Sequence, residues 1–283
     1  MIVGMAAAIL PLGSCGTQDG DIGVDTVSVA LDTASRSGSF TKSNGKTCRQ
    51  RVAVSVACPK QYKDKQATER IRRLVAQYVL EAPDSIDLHD AVARYATSLL
   101  IQDTPRDEQE ADLSEAEADG TLMTVSAIEK DPLEVDDIDI AVNVTVVYND
   151  RDIVTFCKEE TVTKNKTVSS TVHHYFSFDL QAMALVQLNR LFRDINLYDI
   201  TALLREQLLK QNNVDSDDRL NELGYFNLPN LQVTDNFFFT DDAVVWSFEP
   251  NTLAIGSVGE PQIAIPISDL EPFLLDNSLL NRF

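Results

Sequence analysis

The sequence predicts an α+β chain built as two modules of antiparallel sheet, with helices packed to one side. Two observations carry this reading. Stretches with period-two apolar alternation recur along the chain, and the helical stretches are segregated from them rather than strictly alternating with them. A hydrophobic content of 44% in 283 residues favours folded cores over disorder.

Residues 24–34 form the first expected strand and residues 46–58 the second. In the second, Val52, Val54, Val56 and Cys58 share one face, Arg51, Ala53, Ser55 and Ala57 share the other, and Pro59 ends the strand by removing a ladder donor. A helix follows in which Ile71, Leu74, Val75, Tyr78 and Val79 recur at helical spacing, opposite Arg70, Arg72, Arg73 and Gln77. Pro83 breaks it. Asp84 or Ser85 stands where it can cap a second helix, whose buried stripe is Leu88, Ala91, Val92, Tyr95 and Leu99. From Thr104 to Gly120 the chain is acidic and has too few apolar residues for a core-facing stripe, so it reads as a solvated loop or frayed helix. It lacks the central glycine of an EF-hand loop.

The clearest strand spans Ile138 to Tyr148, and Ile153 to Thr163 return as its partner. With Asp150-Arg151 as the turn, Cys157 falls opposite Val144 and points into the core. A third strand runs from about Val172 to Phe178. A helix spans Leu197 to Gln211, with Ile200, Leu203, Leu204 and Leu208 on one face. Near the C-terminus, Asp241-Asp242 as a two-residue turn sets Phe237 against Trp246 and Phe239 against Val244, so these rings read as core. Ile263, Ile265 and Ile267 make a last strand. Ser268 and Glu271 stand at capping-box spacing for a short final helix.

The first residues carry a different kind of signal. Residues 1–14 are uncharged, Ile9, Leu10 and Leu12 form an apolar core, and Leu12-Gly13-Ser14-Cys15 closes it in the pattern of a lipobox. The stretch is shorter than the roughly 20 apolar residues that span a bilayer. It reads as a lipoprotein signal peptide, followed by a polar tether over residues 15–23. Cys15 is the expected lipidation site. The expected location is therefore the bacterial cell envelope, in the periplasm or at the outer membrane, with the membrane itself as a partner through the lipid on Cys15.

The formal net charge is −20. That excludes a typical nucleic-acid-binding function, which needs a basic face. It favours solubility and attracts cationic partners. Beyond Cys15 stand Cys48, Cys58 and Cys157, an odd number that cannot all pair within one chain. Cys48 and Cys58 share one extended stretch and lie roughly 33 Å apart along it, too far for a disulfide. A bridge from Cys157 to either one and a set of buried free thiols both remain open.

Chemistry-bearing patterns are sparse. The histidines are His89, His173 and His174. His89 flanks the stripe of the second helix. His173 and His174 are adjacent on a strand and point to opposite faces, so they do not chelate one metal together. There is no G-x-S-x-G elbow, no phosphate-binding glycine loop and no H-E-x-x-H. No catalytic residue, cofactor or metal is expected.

The segment Asn236 to Asp242, then Phe248-Glu249-Pro250, Gly259 and Ile263 to Ile267, resembles the C-terminal domain family of the anti-sigma factor RsiV, a widespread domain of unknown function. Phe178-Asp179-Leu180, Leu191-Phe192 and the Leu197 to Gln211 helix fit the same family's lead-in. The region before it looks like the domain found at the N-terminus of the deacetylase PdaC. The expected division is thus a PdaC N-terminal-like module over residues 24–165 and an RsiV C-terminal-like module over residues 166–283. The sequence departs from the family in two places. No glycine turn stands between Thr163 and His174, and the aromatic residues usual after an Asn-Pro step are replaced by Pro250-Asn251-Thr252-Leu253. With the lipobox at Cys15, the resemblance implies a non-catalytic, lipid-anchored binding protein of unknown ligand, with lysozyme or another basic extracellular protein as the candidate partner. The alternative it implies is an enzyme acting on cell-wall glycan, or an accessory module of one.

Overall fold

The structure is a computed structural model and describes residues 26–41, 47–100, 137–193 and 196–283. The expected signal peptide, the tether with Cys15 and the acidic stretch from Thr104 to Gly120 lie outside the described residues.

The fold is α+β. A six-stranded sheet has the order β1-β2-β3-β4-β5-β6, and a three-stranded sheet has the order β7-β8-β9. In the first sheet β1 (Ser28–Thr41) and β2 (Thr47–Gln61) form a long antiparallel pair. Then come α1 (Lys65–Leu74), a single π-turn (Val75–Val79) and α2 (Leu88–Ser98). The chain returns as β3 (Asp137–Asp150), which lies parallel to β2, with Val52 beside Ile140 and Val56 beside Val144. This is the parallel exception in sheets whose other strand pairs are antiparallel, as expected. A parallel neighbour needs a crossover connection, and the helices between β2 and β3 lie within it. β4 (Ile153–Lys164) and β5 (Thr167–Asp179) complete an antiparallel meander, and the short β6 (Ala184–Leu185) pairs with the end of β5.

Several local expectations are corrected. β2 runs two residues past Pro59. Its pairing with β3 already stops at Val56, so the missing Pro59 N–H removes no bond on that side. The cap of α2 is Asp87, whose carboxylate accepts from Asp90 N at 3.0 Å, rather than Asp84 or Ser85. The β3–β4 turn is Arg151-Asp152, with φ of 53° and 56°, rather than Asp150-Arg151. Positive φ at both central residues is the type I′ arrangement that matches strand twist. A register shift between Val146 and Tyr148 then places Cys157 opposite Thr145 instead of Val144. Asn165 and Lys166, with φ of 49° and 68°, make a second turn of this kind between β4 and β5. The expected division at residue 165 falls inside that turn, and β5 belongs to the same sheet as β4.

The second half adds α3 (Leu188–Leu191), α4 (Leu197–Gln211), α5 (Asp217–Glu222), β7 (Phe237–Phe239), β8 (Ala243–Ser247), β9 (Gln262–Pro266) and α6 (Ile267–Leu270). Phe237 pairs with Trp246 and Phe239 with Val244, as the two-residue Asp241-Asp242 turn requires. Ile267 opens α6 rather than closing β9, and the Ser268 hydroxyl makes no helix cap; it lies 3.5 Å from Asp269 Oδ1.

Two apolar cores result. In the first, Val52, Val54, Val56, Val142, Val144 and Phe156 of the sheet meet Ile71, Val75, Val79 and Val92 of the crossover. In the second, Ile200, Leu204 and Leu208 of α4 meet Trp246, Ile263 and Ile265. Each fully buried side chain of this size contributes about 1.5–3 kcal/mol. β4 joins the cores: Val154 and Phe156 face the first, and Ile153 faces the second. Tyr175 of β5 stacks on Phe238 of β7 with ring centroids 4.4 Å apart, which carries one sheet onto the other.

Candidate functional site

Cys15 lies outside the described residues. Cys58 and Cys157 carry free thiols, and Cys48 is buried. Burial pushes both Cys58 and Cys157 up to about 11, reinforced at Cys58 by the nearby Asp32 carboxylate. Neither is a thiolate near neutral pH, so neither is poised as a nucleophile.

His89 stands on the first turn of α2, and its Nδ1 lies 2.8 Å from Asp32 Oδ2 on β1. These two line a shallow cavity of about 290 Å³ with Cys58 and Arg72. The hydrogen bond that His89 donates to the Asp32 carboxylate raises the His89 pKa above its ordinary value. The constellation has the residue types of a Cys-His-Asp triad. Burial and the Asp32 carboxylate hold the Cys58 thiol in its protonated form.

His173 and His174 leave β5 on opposite faces. His173 is clamped: its Nδ1 is 2.6 Å from Glu260 Oε2, its Nε2 is 3.2 Å from Glu159 Oε2, and its backbone N donates to Glu260 Oε1 at 2.8 Å. Glu159 faces His173 across the β4–β5 ladder, whereas Glu260 arrives from the loop before β9. Asn236 completes this seam, accepting from Tyr175 N and donating to the carbonyls of His173 and Ser247. Glu260 is the main cause of a raised His173 pKa, with burial acting against it and Glu159 adding to it. Both ring nitrogens are occupied by carboxylates, so the imidazole acts as a bridge between the sheets rather than as a free base.

Lys158 is buried, with its Nζ 3.3 Å from the Tyr95 hydroxyl and 3.6 Å from Glu81. Its charge also lies over the Tyr95 and Phe176 rings. These contacts satisfy a cation under α2, and burial pushes the Tyr95 hydroxyl up to about 12. No cluster of three or more His, Cys, Asp or Glu side chains suited to a metal exists among the described residues.

The surface shows what the motif search missed. Leu223, Phe226, Ile255 and Val258 are 48, 36, 47 and 36% exposed, and they belong to two segments laced together. Phe226 N donates to Leu253 O and Ile255 N to Gly224 O, each at 2.9 Å. Gly224 has φ +97°, and a Cβ there would lie 2.8 Å from the Ile255 side chain, so glycine is what lets the segments close. The result is an apolar patch formed after α5 and before β9. Asp218 of α5 and Glu249 after β8, which flank these segments in the chain, are exposed. Sequence periodicity could not reveal the patch, because it is assembled from loops. An isolated Gly224 after a short helix was the one local signal.

The comparisons with known proteins agree with this architecture. No curated protein matches the chain. A member of the DUF3298 family from Bacteroides fragilis shares 13% identity with a TM-score of 0.65, over 91% of this chain and 98% of its own. A DUF3298 family protein from Pseudomonas aeruginosa PAO1 shares 13% identity with a TM-score of 0.53, over 90% of this chain and 98% of its own. At that identity the likeness concerns the fold alone. Residues 189–268, which hold α4, the second sheet and the apolar patch, match the family described as "Protein of unknown function (DUF3298)".

Proposed function

We propose that the chain is a non-catalytic binding protein of the bacterial cell envelope, anchored by lipid on Cys15, that captures a basic extracellular protein. It would combine a PdaC N-terminal-like module with an RsiV C-terminal-like module, and lysozyme is the first candidate partner. The observation that carries this reading is the exposed Leu223, Phe226, Ile255 and Val258 patch on a chain of net charge −20. An apolar patch gathered from two loops is a contact surface in want of a partner. The acidic field around it draws a cationic protein and speeds encounter.

The test is a calorimetric titration of residues 16–283 with lysozyme at low and high salt. Screening shortens the reach of charge from about 10 Å at 0.1 M to about 3 Å at 1 M. A specific complex weakens with salt yet retains its apolar component, and Ile255→Ser lowers that component. Absence of saturable binding at low salt, or its complete loss at 1 M, would end the proposal.

A further inference from the structure

The geometry points to a binding site for a small carboxylate bearing an apolar group, in the cavity beside the Asp179–Arg282 ion pair. The cavity has a volume of about 370 Å³ and lies between the β5–β6 turn, α3 and the 3₁₀ turn at Leu279–Arg282. That is within the size range of small-molecule sites, roughly 300–1,000 Å³.

Its polar side is built around a fixed guanidinium. Arg282 grips Asp179 with two bonds, of 3.0 and 3.2 Å. Asp179 is itself pinned by Gln181 N at 3.0 Å and Ala182 N at 3.4 Å. Arginine has five N–H donors, and the Asp179 bonds use two of them. The Arg282 fork is thus held in place with donors to spare, which lowers the ordering cost of a ligand. Arg190 of α3 lines the same cavity, and its side chain has no partner among the described residues. Asn189 and Asn277 also line the cavity, and their side-chain amides have no partner among the described residues. Val186 and Leu279, both buried, line the same cavity and supply apolar surface.

Charge selects the ligand class. Arg190 and Arg282 against Asp179 leave one positive charge in excess, which a monoanion balances and a phosphate dianion overshoots. A planar carboxylate also matches the arginine fork in two bonds. The apolar wall suits a short aliphatic substituent next to the carboxylate. A free N-acylated amino acid and the C-terminal carboxylate of a peptide both present this chemistry. The site is distinct from the apolar patch and does not depend on it.

The experiment titrates the full chain by calorimetry with N-acetylleucine, acetyl-Gly-Gly-Leu, N-acetylleucinamide and inorganic phosphate. The expected result is saturable binding of at least one of the two acids, at least about tenfold tighter than binding of the amide or of phosphate. Tighter binding of the peptide identifies a peptide C-terminus as the source, and equal or weaker binding a free acid. Arg190→Gln should weaken the bound acid at least about tenfold. Because Arg190 is exposed and its side chain has no partner among the described residues, the variant keeps the thermal midpoint of the parent chain, so a loss of binding is not a loss of fold. No saturable binding of either acid up to about 50 mM, equal binding of the amide or phosphate, or unchanged affinity in Arg190→Gln would overturn the assignment.

Discussion

The clamp on His173 makes the seam between the two sheets dependent on pH. Consider His173→Gln. Glu260 is 11% exposed at its side chain and His173 28%, while Glu159 is 41% exposed. The Glu159 contact is screened by solvent and contributes little. The Glu260 contact is the one that matters, and a hydrogen bond to a charged group in such a setting contributes about 1.5–3 kcal/mol. For a chain of this size that corresponds to a fall in melting temperature of roughly 3–12 °C. The sign with pH follows from the raised His173 pKa. The folded state binds the imidazole proton more tightly than the unfolded chain does. The added stability is complete below the ordinary histidine value of about 6.5 and is lost as pH rises through the raised value. The groups facing the imidazole are Glu159 of β4 and Glu260 of the loop before β9; Tyr175 and Cys157 lie alongside and stay protonated through this range. Thermal melts of the parent chain and His173→Gln, recorded by circular dichroism from pH 5.5 to pH 9.5, therefore diverge most at the acid end. His89 titrates equally in both and cancels. A gap between the two melts that stays constant across this range would refute the argument, because it would mean that no proton is linked to the seam.

Further outcomes follow from single contacts. Trp246 is fully buried against Phe237 and Phe192, so Trp246→Ala should cost about 3–5 kcal/mol, seen as an early unfolding transition in denaturant; an unchanged transition would place the ring outside the core. Gly224→Ala should cost about 1–3 kcal/mol, since a side chain is strained at φ +97° and meets Ile255, and a thermal melt checks it. Cys15→Ala should abolish incorporation of a fatty-acid probe and release the chain from the membrane fraction; equal labelling of both chains would remove the lipid-anchor reading.

Sequence alone determined those elements whose packing partner is close in the chain. The β7–β8 register was legible because a two-residue turn and period-two alternation leave Phe237 one partner, Trp246. The stripes of α2 and α4 were legible because Leu88, Ala91 and Val92, and Ile200, Leu204 and Leu208, recur at helical spacing and are buried for that reason. Where two turns were compatible with the residues, the local signal failed. Asp150-Arg151 and Arg151-Asp152 are alike by composition, and the bulge beside Val147 shifts the register again, so the partner of Cys157 was missed by one residue.

Tertiary structure decided the rest, because the relevant groups are far apart in sequence. Reading Asn165-Lys166 as the turn would set Glu159 opposite Val172, and only the register shift between Val162 and Thr163 brings it to His173; nothing local announces Glu260, which lies 87 residues from the imidazole it grips. The same holds for Arg282 on Asp179, 103 residues away, and for the parallel pairing of β3 with β2. An ion pair or a crossover forms when the two cores bring distant segments within a few ångströms, and apolar periodicity reports only which face of each segment is buried. It does not report which segment lies opposite.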